Sequence, residues 1–251
     1  MHLDRIMSVM EAVAATGRPV ATSEVIELTG LPRPTCYRLI HSMCTHRFLD
    51  EPETGKYLIS EHMVRLGLMG QSDISVTESV LPALKEAADH FGEAVFLSRF
   101  RSKGVEIIHV ATPRDENRSF IHPGLGFRPL HACSCSKAIA AHADKDFQEK
   151  IFESPLKSYT PNTKLDPFTL RSEFASIRKL GFAECVEEIE IGVSSVAAPI
   201  RFGKIGASFS IGVTGPVRRF TSERRQLIGS ELAKITSRVT SAFKVQISSF
   251  S

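Results

Sequence analysis

Residues 21–49 read ATSEVIELTGLPRPTCYRLIHSMCTHRFL, and the punctuation of this stretch sets the reading of everything around it. Thr22 or Ser23 supplies a side-chain oxygen to start a short helix. Val25, Ile26 and Leu28 then turn inward, and Gly30 stops the helix because it tolerates a left-handed turn. Pro32 and Pro34 bracket the start of a second helix, where a missing N–H has no helical partner to lose. Cys36, Leu39, Ile40 and Met43 form its inward stripe. Pro34, Arg38, His41 and Thr45 occupy the opposite face, with Thr35 and Tyr37 on its shoulders. No Asp or Glu occurs between Leu28 and Leu49, whereas Arg33, Arg38 and Arg47 do. A surface that approaches phosphates must lack carboxylates. The pair is therefore expected to be a helix-turn-helix that reads double-stranded DNA through Arg33, Thr35, Tyr37, Arg38 and His41.

An ordinary amphipathic helix with a basic solvated face shows the same spacing, so the flanks decide between the two. Upstream, Leu3, Ile6, Met7, Met10, Val13 and Ala14 recur at helical intervals and are expected to face inward, until Gly17 and Pro19 end the run. Downstream, residues 48–59 read FLDEPETGKYLI, two short apolar segments around a Pro/Gly turn, as in a β-hairpin. Three helices and a hairpin make a winged helix. Glu51 and Glu53 oppose Lys56 on the wing, so its phosphate contacts are expected from Lys56 and Tyr57.

The chain has 251 residues, 42% hydrophobic and 24% charged, enough to bury two cores or one large one. A net charge of +3 does not by itself argue for nucleic acid, because the placement of charge matters more than its sum. Asp4 and Glu11 interrupt the start, unlike a secretory signal, and no run reaches the roughly 18 apolar residues of a membrane span. Five cysteines without an export signal fit reduced thiols, so a cytoplasmic location without membrane partners is expected.

Residues 67–75 read as a helical connector, and Val76, Val80, Leu81, Leu84, Ala87, Ala88 and Phe91 mark a further helix. EAVFLSRF and VEIIHVAT then read as neighbouring antiparallel strands. Further strands are expected at 127–131, 182–187, 193–200 and 205–213, the last two joined across Phe202-Gly203-Lys204. Helices are expected at 133–143, 147–152, 168–180 and 221–245, the last burying Ile228, Leu232, Ile235, Val239 and Phe243. Helices around an antiparallel sheet make this part α+β.

The chain resembles the IclR family of bacterial transcriptional regulators. LDRIMSVMEAVA, SEVIELTGLPRPTCYRLIHSM and GKYLI before Arg65-Leu66-Gly67 carry the likeness in the first part. RPLHACSCSKAIAAHA, YTPNT, GFAECVEEIEIGVSSVAAPI and VTGP carry it in the second. The resemblance implies a winged helix-turn-helix over 1–66, a linker over 67–75 and a GAF-like effector-binding domain over 76–251. It also implies a homodimer or homotetramer and effector contacts from Ser134, Cys135, Cys185, Val193, Ser195 and Thr214. Arg47 stands where the family usually has glycine, so it either adopts the left-handed conformation or ends the helix differently. Cys185 and Ser136 replace a frequent acid and the usual glycine.

The expected function is sequence-specific DNA binding controlled by a small organic acid or related metabolite, an anion being favoured by free N–H groups at the start of the 133–143 helix. No cofactor and no catalytic residue is expected. Cys133, Cys135 and Cys185, with His131 close in sequence, also suggest a metal- or oxidant-responsive regulator, although C-x-C is not a common zinc spacing. A Cys135–His131 hydrolase would need a base within hydrogen-bond reach of the thiol. Glu187, Glu188 and Glu190, and the pairs Arg218-Arg219 and Arg224-Arg225, read as solvated; His90, His109, His122 and His142 read as surface or satisfied polar residues.

Overall fold

The computed structural model describes residues 2–115, 119–201 and 206–248. They divide into two units, Met1–Gly70 with Ser241–Ser251, and Gln71–Thr240. Among the described residues no helix is long and apolar enough to cross a membrane.

The first unit runs α1 (His2–Ala15), β1 (Val20–Ala21), α2 (Thr22–Thr29), α3 (Arg33–Thr45), β2 (Leu49–Glu53), β3 (Lys56–Ile59) and α4 (Glu61–Gly70). Its core joins Val9 and Val13 of α1 to Val25 of α2 and to Cys36, Leu39, Ile40 and Met43 of α3, the stripe expected from the spacing. The face of α1 differs from expectation. Leu3 and Met7 are 74% and 50% exposed and Ala14 is exposed, while Ile6, Val9, Met10 and Val13 pack inward. Apolar residues cover more than half of this helix's circumference, so periodicity alone allows more than one inward face. Leu28 is likewise exposed rather than buried.

Neither Thr22 nor Ser23 caps α2. Residues 20–21 are instead held as β1 against β3, pairing Val20 with Tyr57 and Ala21 with Lys56, which makes Ala21 the cap position. Glu24 takes over the capping role, its carboxylate accepting from the Ala21 N–H at 3.2 Å. The wing is thus a three-stranded sheet of order β1-β3-β2.

At the exit of α3, Arg47 takes the left-handed alternative with φ of 60°. Phe48 N–H donates to Met43 O at 2.8 Å and the Ser60 hydroxyl donates to Arg47 O, fixing the corner from both sides. A left-handed residue with a β-carbon costs about 1–2 kcal/mol. Arg47→Gly is therefore expected to stabilise the first unit by about 0.5–1 kcal/mol, read as a rise in its denaturant midpoint at unchanged slope.

The second unit contains α5 (Asp73–Phe91), β4 (Ala94–Arg101), β5 (Gly104–Ala111), β6 (Gly126–Arg128), α6 (Ser134–Ala140), α7 (Lys145–Glu153), α8 (Pro167–Leu180), β7 (Ala183–Val186), β8 (Val193–Arg201), β9 (Ala207–Pro216) and the start of α9 (Ser222–Ser248). The strands form one sheet of order β6-β5-β4-β9-β8-β7, with every neighbouring pair antiparallel. The expected Phe202-Gly203-Lys204 turn lies outside the described residues. Strand β6 is shorter than 127–131 because Pro129 has no N–H to extend the ladder, and α6 is shorter than 133–143. Phe96, Val105, Ile107 and Ala197 of the sheet share a core with Ile139 of α6, Phe152 of α7 and Leu170 and Phe174 of α8. Ile228, Leu232, Ile235, Val239 and Phe243 of α9 are buried as expected.

Candidate nucleic-acid interface and effector site

Helix α3 turns Arg33, Tyr37, Arg38 and His41 to solvent, Tyr37 with 60% exposure, while Thr35 is half-buried at the edge of the same face. Among the described residues neither Arg33 nor Arg38 makes an ion pair or hydrogen bond through its side chain. Both guanidinium forks are thus available to a phosphate or a guanine edge. On the wing Lys56 is exposed and pairs with Glu53 at 2.8 Å. An exposed pair of this kind is worth less than about 1 kcal/mol and is easily exchanged for a phosphate. Tyr57 does not join it: the ring packs against the core of the first unit, and burial pushes its phenol pKa up.

In the second unit the register of three strands makes a row that local sequence does not reveal. Cys185 of β7 pairs with Ser195 of β8, and Ser195 pairs with Thr214 of β9, so the three lie on one rung across the sheet. Ser134, the first residue of α6, docks on the middle of that rung, its hydroxyl 2.7 Å from that of Ser195. Val193 lies two residues before Ser195 on the same strand and is half-buried. Cys135 points elsewhere: its thiol lies 3.4 Å from that of Cys133, and its carbonyl accepts from the Ser210 hydroxyl at 3.3 Å. The rung is buried, and burial pushes the Cys185 thiol up to about 12, so it presents neutral SH and OH groups.

A two-part architecture of this kind has known counterparts. A family described as "Bacterial transcriptional regulator IclR C-terminal" matches residues 71–241, and the "IclR helix-turn-helix domain" matches residues 2–52. The chain belongs to the IclR family. It is 26% identical to the transcriptional repressor IclR of Escherichia coli K12, over 96% of this chain and 89% of that one. It is 28% identical to a glycerol operon regulatory protein of Streptomyces griseus, over 86% and 85%. Among solved structures, an IclR transcriptional regulator from a Silicibacter species matches with a TM-score of 0.66 at 20% identity, covering 97% of this chain and 96% of that one. An IclR homolog from Microbacterium hydrocarbonoxydans, solved in complex with 4-hydroxybenzoate, matches with a TM-score of 0.58 at 21% identity, covering 96% and 100%. The chain is thus a DNA-binding transcriptional regulator of the IclR family, with an α+β fold made of a winged helix and a GAF-like domain.

The IclR relatives are regulators, which does not favour the metal, redox or hydrolase readings. His131 does not face Cys135. Its Nε2 lies 3.0 Å from Lys157 O and its ring stacks on Tyr159. Among the described residues no three His, Cys, Asp or Glu side chains group as metal ligands.

Two expectations of solvated charge are overturned. Glu188 is only 2% exposed, and it shares the ammonium of Lys137, itself 0% exposed, with Glu173 of α8, at 2.7 and 2.8 Å. Lys164 joins Glu173 from the surface at 2.8 Å. Burial alone pushes the Lys137 ammonium down, yet the two carboxylates hold it above the ordinary lysine value. The YTPNT loop fixes the acidic turn, with Thr160 and Thr163 hydroxyls donating to Glu187 O and Glu188 O at 2.6 Å. A lysine in the middle of CSCSKAIAAHA, otherwise small and buried, was the available signal that a buried carboxylate had to exist. Three of the four arginines are also engaged, while Arg218 is exposed as expected. Arg219 grips Glu93, a fully buried carboxylate, with two bonds of 2.6 and 2.7 Å, Arg224 donates to Phe91 O and Arg225 pairs with Glu184.

Proposed function

We propose that this IclR-family regulator binds a two-fold operator as a homodimer or homotetramer and releases or engages it in response to a small organic carboxylate. The acid-free, solvent-facing surface of α3 carries this reading, with Arg33, Thr35, Tyr37, Arg38 and His41 contacting bases or phosphates and Lys56 contacting a phosphate from the wing. A single inserted helix buries too little surface for tight specific binding, so two copies acting together are required. The effector is held by Ser134, Cys185, Val193, Ser195 and Thr214, without Cys135, whose thiol turns to Cys133. The neutral hydroxyls on the rung serve as donors to a carboxylate, and the 4-hydroxybenzoate complex of the Microbacterium homolog is in keeping with an acid of this class. Ligand control follows if the acid binds the operator-competent and incompetent states with different affinity.

Arg38→Ala tests the DNA-reading face. On an operator selected from random DNA, affinity is expected to fall about tenfold and the slope of log K against log salt to lessen by about one. Unchanged affinity and slope would show that α3 does not read DNA with this face.

A further inference from the structure

The second unit holds a cavity of about 410 Å³ lined by His142, Lys145, Gln148, Arg178, Arg201 and Gly206, with no carboxylate in its described lining. Lys145 comes from the start of α7, Arg178 from α8 and Arg201 from the end of β8, while His142 follows α6.

Some of these groups already have a structural duty. Gln148 donates to Ala141 O and Ala143 O at 3.1 and 2.9 Å, and Arg178 Nη1 donates to Ala141 O at 3.0 Å, satisfying carbonyls that the end of α6 leaves over. That duty leaves Lys145 and part of Arg178 over, while Arg201 has an interaction of its own. Arg178 uses Nη1 alone, and Lys145 makes no side-chain hydrogen bond or ion pair among the described residues. Of the nearby acids, Asp144 caps α7 and Glu149 pairs with Arg171, while Asp146 is exposed in the first turn of α7 and does not line the cavity. His142 is the most telling. Its Nδ1 lies 3.0 Å from Ala138 O and so carries the proton, while Nε2 is buried with no partner among the described residues. A buried polar atom without a partner is unfavourable, and a bound acceptor relieves it.

We propose that this cavity is a binding site for a phosphate group, free or borne by a small metabolite, held by Arg178, Arg201, Lys145 and His142. Guanidinium forks match phosphate oxygens geometrically, and an ammonium adds a point charge. Protonated on binding, His142 gives Nε2–H an acceptor. Burial first, and then Arg201 and Arg178, push the imidazole pKa down, and Lys145 adds a further cation to the same lining; a dianion among them removes that repulsion. The space equals roughly a dozen water volumes, so an organic remainder fits beside the phosphate. The cavity adjoins the end of α6 opposite to Ser134, about 10 Å along the helix, so it does not overlap the carboxylate site and stands without it.

The full-length protein is unfolded thermally in potassium phosphate, in ribose 5-phosphate, in malonate and in potassium chloride of matched ionic strength. Phosphate is expected to raise the melting temperature above chloride, and Arg201→Gln and Lys145→Gln, neither of which caps α6, are each expected to weaken its apparent affinity at least tenfold. Nitrogen NMR of the imidazoles should show His142 gaining a proton on phosphate addition. Tighter binding of ribose 5-phosphate identifies a phosphorylated metabolite, and equal binding identifies the free ion; both uphold the site. Stabilisation no greater than chloride, stabilisation undiminished in both variants, or a response to malonate without one to phosphate overturns it.

Discussion

Lys137→Met is expected to lower the unfolding free energy of the second unit by about 3–5 kcal/mol, the usual consequence of stranding a buried charge. The ammonium contacts Glu188 at 2.7 Å and Glu173 at 2.8 Å from a fully buried position, and of the two carboxylates only Glu173 keeps a close second cation, Lys164. Lys164 lies 3.6 Å from Glu188, a weaker contact reached from a more exposed side chain. Glu188 must then be protonated or bring water inside. Burial already pushes its carboxyl up, and losing Lys137 pushes it further. A carboxylate raised in the folded state favours folding below its unfolded value of about 4.3 and loses that advantage as pH rises through the folded value. The deficit of the variant should therefore be widest at neutral pH and narrow towards pH 4. Urea titrations across that range measure it. Lys137→Met combined with Glu188→Leu should recover much of the loss, since a buried pair exchanged for apolar groups is often neutral. A single variant as stable as the wild type at pH 7 would show that the cluster is hydrated in solution.

The second large effect concerns packing at the centre of the sheet. A β-carbon added to Gly212 of β9 would lie 2.2 Å from Phe96 Cζ and 2.9 Å from Ala197 Cβ. Phe96 is buried in the shared core of the sheet and α6–α8, so its ring has nowhere to swing. Overpacking of this kind costs about 3 kcal/mol, at the upper end of the usual range, and should lower the melting temperature by roughly 6–12 °C. Phe96→Leu removes the obstructing ring. Gly212→Ala/Phe96→Leu should then be less destabilised than the sum of its single variants, a non-additivity expected of touching residues. Strict additivity would mean that the backbone of β9 shifts to make room.

These sites differ in how far they could be read from the chain. The stripe of Cys36, Leu39, Ile40 and Met43 was legible because one helix with one core leaves one solution to a 3.6-residue period. Helix α1 was less so, since apolar residues at Leu3 and Met7 compete with Val9 for the inward face and tertiary packing chooses. The antiparallel sheet followed from β-rich runs with short turns, yet the rung of Cys185, Ser195 and Thr214 depends on register, which strand patterns specify only by face. Glu188 and Arg219 were misread for one reason. Local runs of like charge suggest solvation, while the partners that bury them lie 51 and 126 residues away. Strand β1, two residues long, carries no periodic signal at all.

That short strand has a mechanical meaning. Ala21 is at once the last residue of β1 and the cap of α2, so no slack separates the sheet of the wing from the helix that braces α3. A hairpin tethered only at its own base swings like a door. Here the third strand acts as a latch on the far side, and a torque applied at Lys56 would pass through the Ala21 pairing into the axis of α2. Wing and helix pair should tilt on DNA as a single lever, with the corner at Arg47 setting its angle rather than its freedom.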